Sequence, residues 1–132
     1  MVTMEIIHIN PESMYRSPAF SQGVMAVNPG RLLVIGGQNG VDAAGQLVGD
    51  DIRSQTKQAL QNLLTVLNAA GGTQENVIKL TIYLTPGQSI QEGFQASQEV
   101  WGMHATAISG VYVVALGRPG VLVEIEALAA LP

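Results

Sequence analysis

Two glutamates lie in the most apolar stretch of the sequence. Glu124 and Glu126 fall within the run VLVEIEALA at residues 121–129, where every other residue is aliphatic. In a β-strand, side chains two residues apart share a face, so the two carboxylates would lie side by side. Burial and a nearby like charge both disfavour an ionised carboxylate, and such groups are candidate general acids or bases near neutral pH. A structural interpretation is also open: the strand lies at a sheet edge, or a basic side chain of a neighbouring subunit pairs with one glutamate.

The remaining reactive side chains form no recognisable catalytic or metal-binding motif. His104 titrates near neutrality, but no acidic cluster or second histidine lies close to it in the sequence, and a packing role is the simpler interpretation. The same holds for His8. Ser109 lacks the G-x-S-x-G context of a serine hydrolase, and the glycine-rich stretch 36–40 lacks the lysine of a phosphate-binding loop. Because the sequence has no cysteine, a thiolate metal site and a cysteine nucleophile are excluded. We predict no metal site.

Six short apolar segments and two helical patterns must position these residues. The predicted strands, rich in Val, Ile and Leu and bounded by turn residues, cover residues 5–9, 23–27, 31–36, 76–85, 108–116 and 121–131. A helix over about residues 51–70 has apolar side chains at three- and four-residue spacing. This helix begins at the N-cap Asp51 and ends at the glycine pair 71–72.

The order of these elements predicts the fold class. A second helix begins at Ser89, which forms a capping box, and its Phe94 and Trp101 are expected to be core residues. The order is then β-β-β-α-β-α-β-β. Turn residues at 28–30 and 117–120 predict a hairpin near each end of the chain. Hairpins combined with two β-α-β crossovers imply an α+β fold, with a mixed sheet and both helices packed on one face, in a single domain over residues 1–132.

The chain carries few charges for its length. Of 132 residues, six are Lys or Arg and ten are Asp or Glu, giving a net charge of −4. Charged residues make up 12% of the sequence, about half the usual 25%. So few basic residues argue against a nucleic-acid surface. No apolar run approaches the roughly 18 residues of a membrane span, and no basic segment precedes an apolar one as in a signal peptide, so the cytoplasm is the expected location.

Two features predict that the chain associates with copies of itself. The first is the low charge, because the cores of protein interfaces are depleted in charged residues. The second is the predicted sheet, whose helices cover only one face. Packing the bare faces of several subunits together would remove the apolar residues of the other face from water.

Five motifs occur together in one order along the chain. They are FSQG at 20–23, GGQ at 36–38, QALQNL at 58–63 leading to AAG at 69–71, VIKLTIY at 77–83 and VEIEALA at 123–129. In these motifs the chain resembles the RidA/YjgF/UK114 family of reactive-intermediate deaminases over nearly its whole length. The resemblance implies a chorismate-mutase-like fold and a homotrimer with a small-molecule cleft between adjacent subunits. It also implies hydrolysis of enamines and imines, such as 2-aminoacrylate, to a keto acid and ammonia without a metal or cofactor.

The resemblance also assigns site residues. Glu124 matches the glutamate that orients the hydrolytic water, and Glu126 matches its companion acid. The positions expected to line the cleft are Phe20, Gly37, Gln95, Ile108, Ser109 and Gly110.

Several of these positions depart from the deaminase pattern. Ile108 stands where the deaminases have the arginine that binds the substrate carboxylate. Gly110 replaces a cysteine, Phe20 replaces a tyrosine, and Gln95 stands where an asparagine is expected. Isoleucine cannot pair with a carboxylate, which argues against activity on 2-imino acids such as 2-iminopropanoate. Arg118, on a nearby loop, is a candidate replacement for the missing cation.

Two functions fit this pattern. The first is hydrolytic deamination of a larger or less anionic enamine or imine, in a family branch that lacks the arginine, with Glu124 orienting the water. The second is a non-catalytic trimer that binds a small molecule or regulates a partner on the same scaffold. Ribonuclease activity, a third possibility, is disfavoured by the net charge of −4.

Overall fold

The elements follow the predicted order. The structure, a computed structural model, describes residues 3–132, so Met1 and Val2 of the predicted domain lie outside the described residues. The strands are β1 (Glu5–Ile9), β2 (Gly23–Val27), β3 (Arg31–Gln38), β4 (Val77–Leu84), β5 (Ala107–Tyr112) and β6 (Val123–Leu131), and the helices are α1 (Ile52–Ala69) and α2 (Ile90–Trp101). A 3₁₀ turn at Gln74–Asn76 precedes β4. The largest difference from the prediction is β5, which ends at Tyr112 instead of residue 116.

Four of the strands form one mixed sheet. Their order is β3-β6-β4-β5, while β1 and β2 form a separate antiparallel ribbon. β4 and β5 run parallel, and β6 is antiparallel to both β3 and β4. β3 and β4 therefore point the same way, and the chain crosses over through α1 between them and through α2 between β4 and β5. Both predicted crossovers are confirmed.

Both predicted hairpins are wrong for the strands that the structure describes. Residues 28–30 turn the chain, with Asn28 at φ 54°, but β2 pairs with β1, and the amide of Gly30 donates to the carbonyl of Leu131 at 2.9 Å. β3 thus pairs with β6 from its start. At the other end, β6 inserts between β3 and β4 instead of folding back on β5. Six of the nine residues of β6 are buried, and a central position gives their backbone groups partners on both sides.

Both helices pack on one face of the main sheet, as predicted. α1 begins at Asp51, whose carboxylate accepts the amide of Ser54 at 2.9 Å, and it ends where the amide of Gly72 bonds to Leu67 at 2.8 Å. Ser89 accepts the amide of Glu92 at 3.2 Å and caps α2. Residues of α1 and the sheet form the centre of the core, among them Leu60, Leu63, Leu67, Val77, Leu80, Val123 and Ile125.

The outer sides of the helices are joined by exposed ion pairs. Arg53 and Lys57 of α1 bond to Glu99 of α2 at 3.1 and 2.5 Å, and the ammonium of Lys57 lowers the pKa of Glu99. Exposed pairs of this kind contribute little stability, so apolar contacts must hold the two helices together. Within residues 3–132, neither helix is long and apolar enough to cross a membrane.

Candidate functional site

The face of the sheet opposite the helices carries the two glutamates. Side chains alternate along β6, so that Val123 and Ile125 are buried under the helices while Glu124 and Glu126 are half-buried on the other face. The prediction that both carboxylates share a face is confirmed. Tyr83 of β4 lies opposite Glu124 in the sheet register, so its phenol lies on the same face of the sheet as the two glutamates.

Tyr83 gives the two carboxylates different surroundings. Its hydroxyl donates to Oε1 of Glu126 at 2.5 Å. That bond first, and then burial and the charges of both glutamates, raise the pKa of Tyr83. The phenol is therefore a protonated donor at neutral pH, and its hydrogen bond is made to the carboxylate of Glu126. Glu124, by contrast, takes part in no side-chain hydrogen bond with residues 3–132.

Gly37 leaves room for the carboxylate of Glu124. β3 has a bulge between Ile35 and Gln38, and the bulged segment brings the backbone of Gly37 against Glu124. A Cβ at Gly37 would lie 2.6 Å from Cδ of Glu124, which is closer than real atoms approach. A side chain at this position would therefore displace the carboxylate. The structure brings these two predicted site residues together.

Ser109 lies on the same helix-free face, in a second polar group. Lys79 of β4 donates from Nζ to Oγ of Ser109 at 2.6 Å. Lys79, Thr81 and Tyr83 alternate along β4 and all point to the face of the glutamates. Lys79 and Tyr83 are not among the site residues predicted from the sequence. Their period-two spacing in the motif VIKLTIY is the signal that could have found them.

An apolar cavity lies on the opposite, helical face of the sheet. It has a volume of about 370 Å³ and lies between α2 and strands β4, β5 and β6. Phe20, Ile108 and Gly110, three predicted site residues, line it together. None of the described residues that line the cavity is Asp, Glu, Lys or Arg. The rest of its wall is largely aliphatic and aromatic and includes Leu60, Leu80, Ile82, Phe94, Val123 and Ile125.

Three residues that line the cavity each carry a buried polar atom without a hydrogen-bond partner among the described residues. These atoms are Oγ1 of Thr56, Nε1 of Trp101 and Nε2 of His104. Thr56 and Trp101 are only 4% and 6% exposed. The prediction that Trp101 is a core residue is confirmed, whereas the same prediction for Phe94 is wrong, because that side chain is 40% exposed.

Two residues predicted near the site lie elsewhere in the single chain. Gln95 is exposed on α2, where its amide oxygen accepts from Nη1 of Arg53 at 3.2 Å. Arg118 donates from Nη1 to the carbonyl of Gly45 at 2.7 Å. This bond ties the guanidinium to a loop, and neither Gln95 nor Arg118 lines the cavity that contains Ile108.

The predicted site residues therefore fall into two groups on opposite faces of the sheet. Gly37 and Glu124 lie on the helix-free face, and Phe20, Ile108 and Gly110 lie on the helical face. Within one chain the sheet separates the carboxylate from the cavity. A cleft that uses both groups needs a second copy of the chain.

A known family matches nearly the whole chain. Its description is Endoribonuclease L-PSP, and the match covers residues 13–131. The chain belongs to the RidA/YjgF family. This result confirms the resemblance that the five sequence motifs indicate.

Relatives of this RidA/YjgF protein include an enzyme and several solved structures. Human 2-iminobutanoate/2-iminopropanoate deaminase is 33% identical over 111 residues, which cover 83% of this chain and 78% of the human protein. The Rid family protein YyfB from Yersinia pestis is 39% identical, with a TM-score of 0.85 and coverage of 96% of this chain and 98% of that one. Rv2704 from Mycobacterium tuberculosis, of the YjgF/YER057c/UK114 family, is 32% identical, with a TM-score of 0.66 and coverage of 96% and 100%. The predicted α+β, chorismate-mutase-like fold is confirmed.

His104 makes the stability of this Rid protein depend on pH. Burial, and then the nearby ring of His8, lower the pKa of His104 below 6.5. The unfolded chain thus binds a proton more readily, so stability is complete above about pH 7 and falls as the pH drops through 6.5 towards the folded value. We expect Tm to fall between about pH 7 and 5.5. In thermal unfolding, His104→Gln should remove most of this slope, and an unchanged slope would contradict the assignment.

Gly93 lies in the interior of α2 at a point where the backbone does not require glycine. A Cβ there would meet Cγ1 of Ile52 and Oγ1 of Thr56 at 3.8 Å, an ordinary contact distance. Because alanine is favoured over glycine inside a helix, Gly93→Ala should raise the free energy of unfolding by about 0.5–1 kcal/mol. Urea denaturation measures the change. Gly102→Ala is the matched control, and it should destabilise because Gly102 has φ 72°.

Proposed function

We propose that the chain forms a cytoplasmic homotrimer whose inter-subunit clefts hydrolyse the carbon–nitrogen bond of an enamine or imine. One observation carries the proposal: on the helix-free face the carboxylate of Glu124 has no hydrogen-bond partner among residues 3–132, and it lies beside a glycine that leaves it room. Family membership supports the reaction class, since a human relative is named a 2-iminobutanoate/2-iminopropanoate deaminase. In this proposal neither a metal nor a cofactor takes part.

The proposed reaction requires one water and one proton carrier. The water oxygen bonds to the imine carbon while Glu124 accepts a proton from the water. Glu124 returns this proton to the nitrogen, which gives a carbinolamine. Glu124 then carries the hydroxyl proton of the carbinolamine to the nitrogen as the carbon–nitrogen bond breaks, and the products are a carbonyl compound and ammonia. A carboxylate held close to the reacting carbon supplies this proton transfer. The carboxylate of Glu126 already accepts a hydrogen bond from the hydroxyl of Tyr83. Glu124 is therefore the candidate for the proton transfer.

Exposed apolar side chains on the helix-free face support self-association. Leu32 and Val34 of β3 are 64% and 78% exposed, and Val111 of β5 is 42% exposed. They share this face with Glu124. Soluble monomers rarely leave such a patch in water. In the proposed trimer, neighbouring copies cover these side chains, and Glu124 of one copy faces the cavity of the next.

The residues around the cavity support a substrate other than a small 2-imino acid. Ile108 presents an aliphatic side chain where the resemblance places the carboxylate-binding arginine, and Arg118 is held by the carbonyl of Gly45. A carboxylate in this cavity would have no opposite charge near it. An imine or enamine without a carboxylate beside the reacting carbon fits this wall better.

A non-catalytic, ligand-binding or regulatory trimer is the second candidate. It is favoured by the same apolar surroundings of Ile108 and Gly110, which hold no charged group to orient an anionic substrate. A ligand of such a trimer would raise Tm without being consumed. Thermal-shift screening followed by product analysis separates a ligand from a substrate.

The test combines a mass measurement with an assay. Sedimentation equilibrium should give three times the mass of the chain, and a monomer at micromolar concentration would contradict the trimer. Imines are generated in place, 2-imino acids by an amino-acid oxidase and uncharged ketimines by an amine oxidase. We expect the protein to speed ammonia release from the uncharged ketimines more than from the 2-imino acids. If no imine is hydrolysed faster than in buffer, the enzymatic proposal fails and the ligand-binding candidate replaces it.

A further inference from the structure

The N-terminal segment (residues 3–27) is held to the rest of the chain by few contacts. It consists of the β1–β2 ribbon and the loop that joins its strands. Two hydrogen bonds connect it to residues 28–132, and both come from Ser21. The amide of Ser21 donates to the carbonyl of Thr106 at 3.0 Å, and its hydroxyl donates to the carbonyl of Ala105. The buried apolar core includes no described residue of this segment. A segment attached in this way opens more readily than the core does.

Two histidines meet where the N-terminal segment contacts the rest of the chain. The ring of His8 in β1 and the ring of His104, which precedes β5, lie edge to face with their centroids 5.8 Å apart. Nδ1 of His8 is 2.9 Å from Oγ of Ser21. Because this hydroxyl donates its own proton to Ala105, Nδ1 of His8 must be the donor in the bond. His8 and Ser21 therefore form one attachment point, and His104 lies next to it.

His104 fits this junction as a neutral ring. Its Nε2 is buried and has no hydrogen-bond partner among the described residues, so a proton there would bring a charge without a partner. Burial has the largest influence on the pKa of His104 and lowers it. The carbonyl of Val77 raises this pKa, the charge of His8 lowers it and the carboxylate of Glu75 raises it, and the result lies below 6.5. Arg16, which lines a cavity of about 560 Å³ beside both rings, is a cation and offers a proton on His104 no compensation.

We propose that His8 and His104 form a pH-sensitive latch, which holds the N-terminal segment closed at neutral pH and lets it open more often as the pH falls below about 6.5. When the segment has moved away, His104 is in water and takes up a proton at the ordinary value of histidine. The open state therefore binds this proton more tightly than the closed state, and acid favours opening. A charge on His8 adds repulsion between the two rings in the closed state.

Opening of the latch changes access to the apolar cavity under α2. Phe20 precedes Ser21 and forms part of the cavity wall together with Pro18 and Ala19. All three residues belong to the N-terminal segment, so releasing Ser21 removes them from the wall. The cavity thus opens more often in acid than at neutral pH. The inference concerns this access alone, and it does not depend on the reaction proposed for Glu124.

Hydrogen exchange of single amides measures the latch. The amide of Ser21 exchanges when its bond to Thr106 breaks, whereas the amide of Leu63, in the buried middle of α1, reports unfolding of the core. Protection factors, corrected for the intrinsic exchange rate, are compared in the full-length protein at about pH 7.5 and about pH 5.5. We expect Ser21 to be protected at least about tenfold less than Leu63 at both pH values. Its protection should fall by about 3- to 10-fold at the lower pH, because the open state is about 90% protonated one pH unit below 6.5.

Two variants test the assignment to the histidines. His104→Gln takes up no proton in this range, so the protection of Ser21 should become independent of pH. His8→Gln keeps a side-chain donor for Ser21 but removes the second charge from the closed state, and the loss of protection in acid should be smaller than in the unmodified protein. His8 is exposed, so this variant leaves the core intact.

Three results would overturn the inference. The first is equal protection of Ser21 and Leu63, because Ser21 would then exchange only through unfolding of the whole chain. The second is protection of Ser21 that does not change with pH, and the third is the same loss in acid in both variants as in the unmodified protein. Ammonia release does not enter these measurements, so failure of the enzymatic proposal leaves the latch standing, and failure of the latch leaves the enzymatic proposal standing.

Discussion

Replacing Glu124 by glutamine is expected to slow imine hydrolysis by at least about 100-fold, the usual contribution of a positioned general base. Glutamine has nearly the size of glutamate, but its amide cannot accept a proton from the water. Glu124 is half-buried and makes no side-chain hydrogen bond with the described residues, so the substitution breaks no contact that holds the fold. Ammonia release from the imine that the unmodified protein hydrolyses fastest measures the effect. Sedimentation shows whether the variant keeps its assembly.

Glu126→Gln is the matched control. Glu126 lies two residues along the same strand and on the same face, but its carboxylate accepts the hydroxyl of Tyr83. A glutamine oxygen would accept the same bond, so the packing of Tyr83 is kept. We expect a rate change of less than about 10-fold. Equal losses in the two variants would contradict the assignment of the proton transfer to Glu124 alone.

The sequence was sufficient to predict which face carries the glutamates. Val123 and Ile125 alternate with Glu124 and Glu126, and only one orientation of such a strand buries the aliphatic side chains. Period-two spacing places Tyr83 on one face of β4 with Lys79, but the bond of Tyr83 to Glu126 was not predictable in the same way. It depends on which strand lies beside β6, and a pairing between distant segments leaves no local signal in either of them.

The two wrong hairpins have the same origin. The turn residues at 28–30 indicate that the chain reverses direction, but they do not determine the strand with which the next segment pairs. The amide of Gly30 bonds to Leu131, at the far end of the chain. That pairing is decided by the burial of β6 between β3 and β4, and burial is a property of the whole fold.

The cavity was also beyond prediction from sequence. Helical spacing predicts that Trp101 faces the core, and it does so. The same spacing does not show how far α2 stands from the sheet, so a gap cannot be distinguished from close packing. The gap becomes visible only when the neighbouring strands are in place.

Gln55→Ala is expected to cause the largest loss of stability. Gln55 is fully buried, and its side chain makes three hydrogen bonds to the backbone. Nε2 donates to the carbonyls of Gly49 and Gly120, both at 2.9 Å, and Oε1 accepts the amide of Leu122 at 2.8 Å. With about 1 kcal/mol for each bond and a further term for the cavity, the free energy of unfolding should fall by about 3–5 kcal/mol. Urea denaturation measures the change.

Gln61→Ala on the exposed side of the same helix is the matched control, and it should change the free energy of unfolding by no more than about 0.5 kcal/mol. If Gln55→Ala were equally mild, water would have to replace all three bonds of the lost side chain.

The bonds of Gln55 also have a consequence for function. They hold Gly120 and Leu122 at the start of the strand that carries Glu124. We therefore expect Gln55→Ala to lower kcat at temperatures where circular dichroism still shows a folded protein, because the carboxylate is no longer held in one position relative to the reacting carbon.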